Sequence, residues 1–273
     1  MKEFAFIQNS FQLIGQPQLA EEENLWLGLS VDAHRLLYFI GKNSELKQIG
    51  NYTLHLQNTA QSLSDTLSAI FDADKNLATN FSHITLFLDG DFELIPQQFF
   101  KEEPDSFFNE IKSNEIVMSY SPNRALTTFF QSKFPDIKFC HSGAALIKNL
   151  SKIEKGGSYA FYVMVAADFI DIVAFDTENT LQFHNRYTYK TPNDFIYFVL
   201  LAADFLSIDR NNVALQLLGE ISANSAIYNL CYRYFSKVTF LRTINQTTFG
   251  EAFNLFPKHI HFHFYSELSA CAS

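Results

Sequence analysis

The first half of the chain alternates apolar runs with short polar turns. In order, the predicted elements are strands at residues 25–31, 35–40 and 45–56, a helix at residues 59–73 and a strand at residues 82–88. The first two strands flank a short turn at Asp32, which is typical of a tight hairpin, and Thr59 is a suitable N-cap for the helix. The preceding leader, residues 1–23, has room for one extra strand.

The second half repeats this order of elements. The predicted elements are strands at residues 159–167, 170–175 and 181–189, a helix, a strand at residues 213–218, a helix at residues 226–235 and a strand at residues 237–241. The first of these helices begins with a Thr191 N-cap, Pro192 at its first position and Asp194 in its first turn. Asp32 and Asp168 occupy equivalent turns, 136 residues apart (168 − 32). A period this long indicates a duplicated domain and not a solenoid repeat.

The stretch between the halves predicts further elements. They are helices at residues 103–112, 124–134 and 142–153 and a strand at residues 115–120. Asp89-Gly90-Asp91 is predicted to turn a hairpin between strands at residues 86–88 and 92–95. The stretch at residues 154–157 ends in two glycines and is the predicted boundary between two lobes, residues 1–155 and 156–273. The pattern therefore predicts an α/β protein with two lobes, each a mixed sheet flanked by helices.

The composition favours a folded, acidic protein. Apolar residues make up 47% of the chain, charged residues 18%, and the formal net charge is −9. A general binder of nucleic acid backbones needs clustered Lys and Arg, so nucleic acid is not an expected partner. The 30 phenylalanines are spread along the chain and are interpreted as core residues, because a base-stacking surface comes with a basic groove.

No membrane span or export signal is predicted. The apolar window at residues 158–175 carries two Asp in its middle, and that at residues 195–206 is shorter than the roughly 20 residues that a membrane helix needs. The first residues lack the apolar stretch of a signal peptide. Cys140, Cys231 and Cys271 are odd in number and widely spaced, which is typical of reduced thiols in a cytoplasmic protein.

Two lobes that each open with a hairpin, a third antiparallel strand and a helix resemble the ribonuclease H-like superfamily, which includes actin, sugar kinases and the bacterial proteins FtsA and PilM. More narrowly, the segments NRYTYKTPNDFIYFVL, from Asn185, and LLGEIS, from Leu217, resemble an uncharacterised bacterial family of unknown function with a duplicated actin-like ATPase fold. This resemblance covers most of the chain. It implies the fold and brings no known activity with it.

The resemblance also implies where a nucleotide would bind. In active members, the hairpin turn of the first lobe is an Asp followed by glycines, and its carboxylate holds the hydrated magnesium ion of ATP. Here Asp32 is followed by AHR. The second hairpin of active members has the pattern Asp-x-Gly-x-Gly-Thr, whereas Asp168 is followed by FID, which places bulky side chains where a backbone must come close to phosphate.

The adenosine loop of active members has two glycines after a strand, whereas this chain has Gly219 followed by Glu220. The candidate ligand-binding residues of the cleft between the lobes are therefore Asp32, Asp168, Asp171, Gly219 and Glu220. No residue is assigned a catalytic role. Alternatively, Asp32 and Asp168 are ordinary turn residues, because Asp is favoured in tight turns for its own hydrogen bonds.

Three histidines suggest a second candidate site. His259, His261 and His263 alternate with apolar residues, so they share one face of a predicted strand. Alternate histidines can share a zinc or nickel ion. The other interpretation is the polar outer face of an ordinary strand.

These residues leave three functional hypotheses. The leading one is a non-catalytic interaction or regulatory protein, a degenerate actin-like fold that contacts a protein partner and needs no cofactor. The alternative is an enzyme that binds ATP with magnesium through altered phosphate loops. The third is a metal-dependent nuclease of the ribonuclease H type built on Asp168, Asp171 and Glu220, and the acidic charge balance opposes it.

Overall fold

The computed structural model describes residues 6–12, 19, 22–32, 35–43, 45–54, 60–103, 106–241 and 266. The strands in this part are β1 (Phe6–Gln12), β2 (Leu25–Val31), β3 (Arg35–Lys42), β4 (Glu45–Leu54), β5 (Phe81–Leu88), β6 (Phe92–Pro96), β7 (Phe107–Ile111), β8 (Ile116–Tyr120), β9 (Lys138–His141), β10 (Ala160–Val165), β11 (Phe169–Phe175), β12 (Leu181–Thr188), β13 (Leu215–Gly219) and β14 (Val238–Phe240). The helices are α1 (Ala60–Ala73), α2 (Arg124–Lys133), α3 (Ser142–Ser151), α4 (Pro192–Phe205) and α5 (Ala226–Cys231).

Two large sheets share one strand topology. The strand order is β1-β4-β3-β2-β5-β9 in the first sheet and β12-β11-β10-β13-β14 in the second sheet. The strands β4-β3-β2 and β12-β11-β10 are antiparallel, and each set continues into two parallel strands. The predicted duplication is confirmed. The leader supplies the extra strand β1, which pairs antiparallel with β4.

Local sequence signals explain the central elements. Every residue of β2 and of β10 is buried, and such central strands are continuous apolar runs because both faces of the sheet are covered. The predicted start of α4 is confirmed. Thr191 Oγ1 accepts the Asp194 N–H at 3.2 Å, and the Asp194 carboxylate accepts the Thr191 N–H at 2.9 Å, which is a complete capping box.

The helix predicted at residues 103–112 is wrong. The segment contains β7, which pairs antiparallel with β8. Phe107, Phe108 and Ile111 have the spacing of a helix face, but β8 supplies backbone partners that a local pattern does not reveal. With β6, these strands form a three-stranded sheet in the order β6-β8-β7.

The hairpin turn predicted at Asp89-Gly90-Asp91 is also wrong. β5 belongs to the first sheet, whereas β6 belongs to the three-stranded sheet, where Phe92 lies opposite Tyr120 of β8. The segment therefore carries the chain from one sheet to another, and Asp89 lies directly after β5.

Helix α3 connects the two halves. Its residues Leu146, Ile147 and Leu150 are fully buried in a cluster with Tyr162 and Phe175 of the second sheet. The other face of the second sheet packs against α4 and α5. The boundary predicted after residue 155 therefore follows a helix that completes the core of the second sheet.

Candidate functional site

The turn after β2 holds Asp32 in a local ion pair. The Asp32 N–H donates to the Arg35 carbonyl at 3.1 Å. The Asp32 carboxylate accepts from the Arg35 backbone N–H and from Arg35 Nε, both at 2.9 Å. Both side chains are more than a third exposed, and the contacts are those of an ordinary Asp turn. Residues 33 and 34 of this turn lie outside the described residues.

A tyrosine spans the turn after β10. The Ala166 N–H donates to the Phe169 carbonyl at 2.9 Å, so Ala167 and Asp168 form a two-residue turn. The Tyr189 hydroxyl donates to the Ala166 carbonyl at 2.8 Å. The Tyr189 N–H donates to the Asp168 carbonyl at 3.1 Å. Tyr189 is therefore hydrogen-bonded to residues at both ends of the turn. The Asp168 side chain is exposed.

Asp168 and Glu220 approach the same phenol. Burial raises the pKa of Tyr189, and the negative charges of Glu220 and Asp168 raise it further. The phenol therefore remains protonated and keeps its hydrogen bond to the turn. Both predicted carboxylates therefore act electrostatically on Tyr189.

Gly219 lies against the backbone of β10. Its φ is +88°, and a Cβ there would lie 2.1 Å from the carbonyl oxygen of Val165, so only glycine fits. The same carbonyl accepts the Glu220 N–H at 2.7 Å. The packing of β13 on β10 therefore accounts for this glycine without a nucleotide.

Asp171 forms a buried ion pair within the second sheet. It lies directly opposite Arg186 in the β11–β12 ladder and is fully buried. Arg186 Nε and Nη2 donate to its two carboxylate oxygens at 2.9 and 2.7 Å. Burial would raise the pKa of Asp171, but the bidentate Arg186 guanidinium holds it well below its usual range.

Arg186 also links the second sheet to the end of β5. Its Nη1 donates to Asp89 Oδ1 at 2.5 Å, and the guanidinium lies 3.9 Å from the centre of the Phe169 ring. Burial would lower the pKa of Arg186, but the charges of Asp171 and Asp89 raise it. One cation thus holds two carboxylates, one from each half of the chain.

Two histidines and Phe92 pack beside this cation. The Phe92 ring is stacked on His184 at 4.6 Å and lies 5.1 Å from His141. A Cβ on Gly143 would lie 2.7 Å from His184 Cε1, so a glycine makes room for the ring. His184 Nε2 is 3.4 Å from Asp171 Oδ1, but neither ring nitrogen has a well-aligned hydrogen-bond partner among the described residues. We call the set of Asp89, Phe92, His141, Asp171, His184 and Arg186 the junction.

His141 is a neutral residue that caps α3. Its Nδ1 accepts the Gly143 N–H at 3.0 Å, so the ring proton is on Nε2, which lies 3.2 Å from the Gly90 carbonyl. Burial and then the charge of Arg186 lower the pKa of His141 to about 4. At the junction, carboxylates from the two halves of the chain are therefore paired with one cation, Arg186.

Within the part of the chain that the structure describes, no group of three or more His, Cys, Asp or Glu side chains is arranged to hold a metal ion. His259, His261 and His263 lie outside that part. Cys140 and Cys231 are buried and are not joined in a disulfide bond. No helix among the described residues has the length and apolarity to cross a membrane.

Residues 16–238 match the family described as Protein of unknown function (DUF3822). The chain belongs to this family. None of the curated proteins compared with this DUF3822 chain matches it.

Solved structures show the fold of this DUF3822 protein. A Bacteroides thetaiotaomicron protein with an actin-like ATPase fold and unknown function is 18% identical, with a TM-score of 0.76 over 93% of this chain and 99% of that one. The PilM–PilN type IV pilus biogenesis complex matches with 11% identity and a TM-score of 0.57, over 90% of this chain and 98% of that one. The DUF3822 chain therefore has the actin-like ATPase fold, as its two equivalent sheets indicate.

Five of the junction residues were not predicted as site residues. Arg186 lies within the segment from Asn185 that resembles the family, but a bulge between Ala174 and Phe175 shifts the register of β11 and β12. Counting outward from the turn at residues 176–179 therefore does not pair Asp171 with Arg186. Asp89, His141 and His184 meet through packing between distant segments of the DUF3822 chain, and no local pattern shows that.

Proposed function

We propose that this DUF3822 protein is a non-catalytic, cytoplasmic interaction protein, an actin-like scaffold with degenerate phosphate loops that contacts a protein partner. The observation that carries the proposal is the turn after β10. Active members of the fold present glycine backbone to the phosphates at this turn. Here the turn is Ala167-Asp168 and has no glycine, Tyr189 is hydrogen-bonded to its carbonyls, and the negative charges of Asp168 and Glu220 act on that side chain.

The local charges also oppose a nucleotide. Phosphate groups bind to unpaired cations or to backbone N–H groups. The two arginines beside the hairpins, Arg35 and Arg186, are both bound to carboxylates, and the Gly219 backbone is packed on Val165. These pairings support a protein that works without ATP and magnesium.

An apolar stripe on α4 supports a protein partner. Tyr197, Leu201 and Phe205 recur every four residues and are 60%, 45% and 75% exposed, whereas Phe195 and Val199 are fully buried. Because the capping box fixes the start of α4, the stripe belongs to an ordered helix. Aromatic groups clustered on such a surface are typical of protein contacts, and the PilM structure of this fold is a complex with PilN.

The nucleotide half of the proposal is tested by calorimetry. Metal-stripped protein titrated with ATP and magnesium is expected to give no saturable heat up to about 1 mM nucleotide, a limit of about −4 kcal/mol in binding free energy. Micromolar binding that Asp32→Ala abolishes would favour the enzyme hypothesis instead.

The partner half is tested by photo-crosslinking in cells that express the protein. A photoreactive residue at position 201 is expected to give a discrete protein adduct that Phe205→Lys removes. The matched control is the same residue at position 224, where Asn224 is exposed on another part of the surface. If positions 201 and 224 give the same adducts, the stripe is not the contact surface.

A further inference from the structure

The first half of the chain contains a cavity that lies apart from the hairpin turns and from α4. Its volume is about 570 Å³, and it lies between α2, β7 and β9. Its apolar walls are Phe107, Phe108, Tyr120 and Phe139, of which the three phenylalanines are only partly buried. Cavities of roughly 300–1,000 Å³ with aromatic walls are typical of sites for small organic ligands.

One rim of the cavity carries a cation that has no ion-pair partner in the part of the chain that the structure describes. Arg124, Thr128 and Gln131 project from one face of α2, and all three are exposed. Among the described residues, Arg124 has no carboxylate within ion-pair distance, and no acidic side chain lines the cavity. In a chain with a net charge of −9, a guanidinium beside aromatic walls is suited to an anion.

We propose that this cavity binds a small organic anion, a carboxylate carried on a flat apolar or aromatic body. Arg124 pairs with the carboxylate, and the aromatic rings contact the body. The site shares no residue with the hairpin turns or with the α4 stripe. A test of this site is therefore independent of the tests of the proposed function.

The test titrates the full chain with four acids: benzoate, 3-phenylpropionate, 4-hydroxyphenylacetate and indole-3-acetate. Each acid is paired with its uncharged amide, and binding is followed by protein-observed NMR up to about 5 mM ligand. At least one acid is expected to saturate, with an affinity at least about tenfold above that of its amide, because only the acid pairs with Arg124.

Variants at exposed positions locate the site. Arg124→Gln is expected to weaken the acid at least about tenfold, whereas Lys138→Gln removes the same charge from an exposed position on β9 outside the cavity and leaves the affinity unchanged. Thr128→Phe fills the cavity and abolishes binding of acid and amide alike.

Three outcomes overturn the proposal. The first is that none of the four acids shows saturable binding, which leaves a cavity filled by water. The second is equal affinity for acid and amide. The third is an equal loss of affinity for the acid in Arg124→Gln and Lys138→Gln.

Discussion

At the scale of single residues, glycines mark places where the fold is packed closely. Gly219 meets the carbonyl of Val165, and Gly143 meets the rings of His184 and His141. Both positions are explained by contacts within the chain. A glycine that resembles a nucleotide position is therefore not by itself a sign of a nucleotide.

The variant Gly219→Ala tests this packing account. It is expected to lower the free energy of unfolding by about 3 kcal/mol, because the new Cβ meets Val165 and φ is in the left-handed region. The measurement is urea unfolding followed by circular dichroism. The control Gly156→Ala also has a positive φ but meets nothing within 4 Å, so about 1 kcal/mol is expected. Equal losses in both variants would contradict the packing account.

Sequence alone identifies Asp171 as a candidate at this scale, but not its partner. Arg186 is not found by counting outward from the turn at residues 176–179, because a bulge between Ala174 and Phe175 shifts the register of the ladder. His184 sits on the same strand, but its neighbours Phe92 and Gly143 come from elsewhere in the chain. Contacts of that kind depend on how the sheets pack, which no window of sequence encodes.

At the scale of elements, local signals suffice where the partner is local. The capping box of α4 and the hairpins β2–β3 and β10–β11 are set by residues a few positions apart, and they are predicted correctly. β7 is predicted as a helix because its apolar spacing fits both periods. Its pairing with β8, across the short segment Lys112–Asn114, decides the outcome.

Helix α3 begins at a histidine whose charge state affects stability. The pKa of His141 is lowered by burial from its ordinary 6.5 to about 4. Between these values the unfolded chain binds a proton that the folded chain does not. The contribution of neutral His141 to the free energy of unfolding is therefore complete above about pH 6.5 and is lost as the pH falls towards 4. The charged groups that act on His141 are Arg186, Asp89 and His184, and the Tyr120 ring lies 5.2 Å from its ring.

Urea unfolding at pH 7 and pH 5 measures this contribution. The wild type is expected to lose about 2 kcal/mol between the two values. His141→Asn keeps a side-chain acceptor for the Gly143 N–H and removes the titration, so its loss is expected to be smaller by that amount. If the variant loses as much as the wild type, groups other than His141 are responsible.

At the scale of the whole molecule, Arg186 connects the halves. Arg186→Met leaves the fully buried Asp171 without its cation, and a loss of about 3–5 kcal/mol in unfolding free energy is expected. Arg35→Met removes an exposed cation from its pair with Asp32 and is expected to cost less than about 1 kcal/mol. Both are measured by urea unfolding.

A second variant separates the charge from the shape. Adding Asp171→Leu to Arg186→Met removes the uncompensated carboxylate, and much of the lost stability is expected to return. If Arg186→Met costs no more than Arg35→Met, the junction does not hold the halves together.

The overall architecture is predictable because it is repeated. The same order of strands and helix occurs twice, so each copy supports the interpretation of the other. The placement of α3 is not predictable in this way. Its apolar residues do not identify the sheet that covers them, and only the packed structure shows Leu146 and Leu150 in a core with the second sheet.

The position of α3 has a consequence during synthesis. The helix ends at Ser151. The strands of the second sheet that pack against it are β10 to β13, and β13 ends at Gly219. The ribosome must therefore add 68 residues (219 − 151) before those strands are complete. At roughly 5–20 residues per second this takes about 3–14 s. During that interval the second sheet does not yet cover the apolar face of α3. The nascent chain therefore exposes an apolar surface for a chaperone that the finished protein buries.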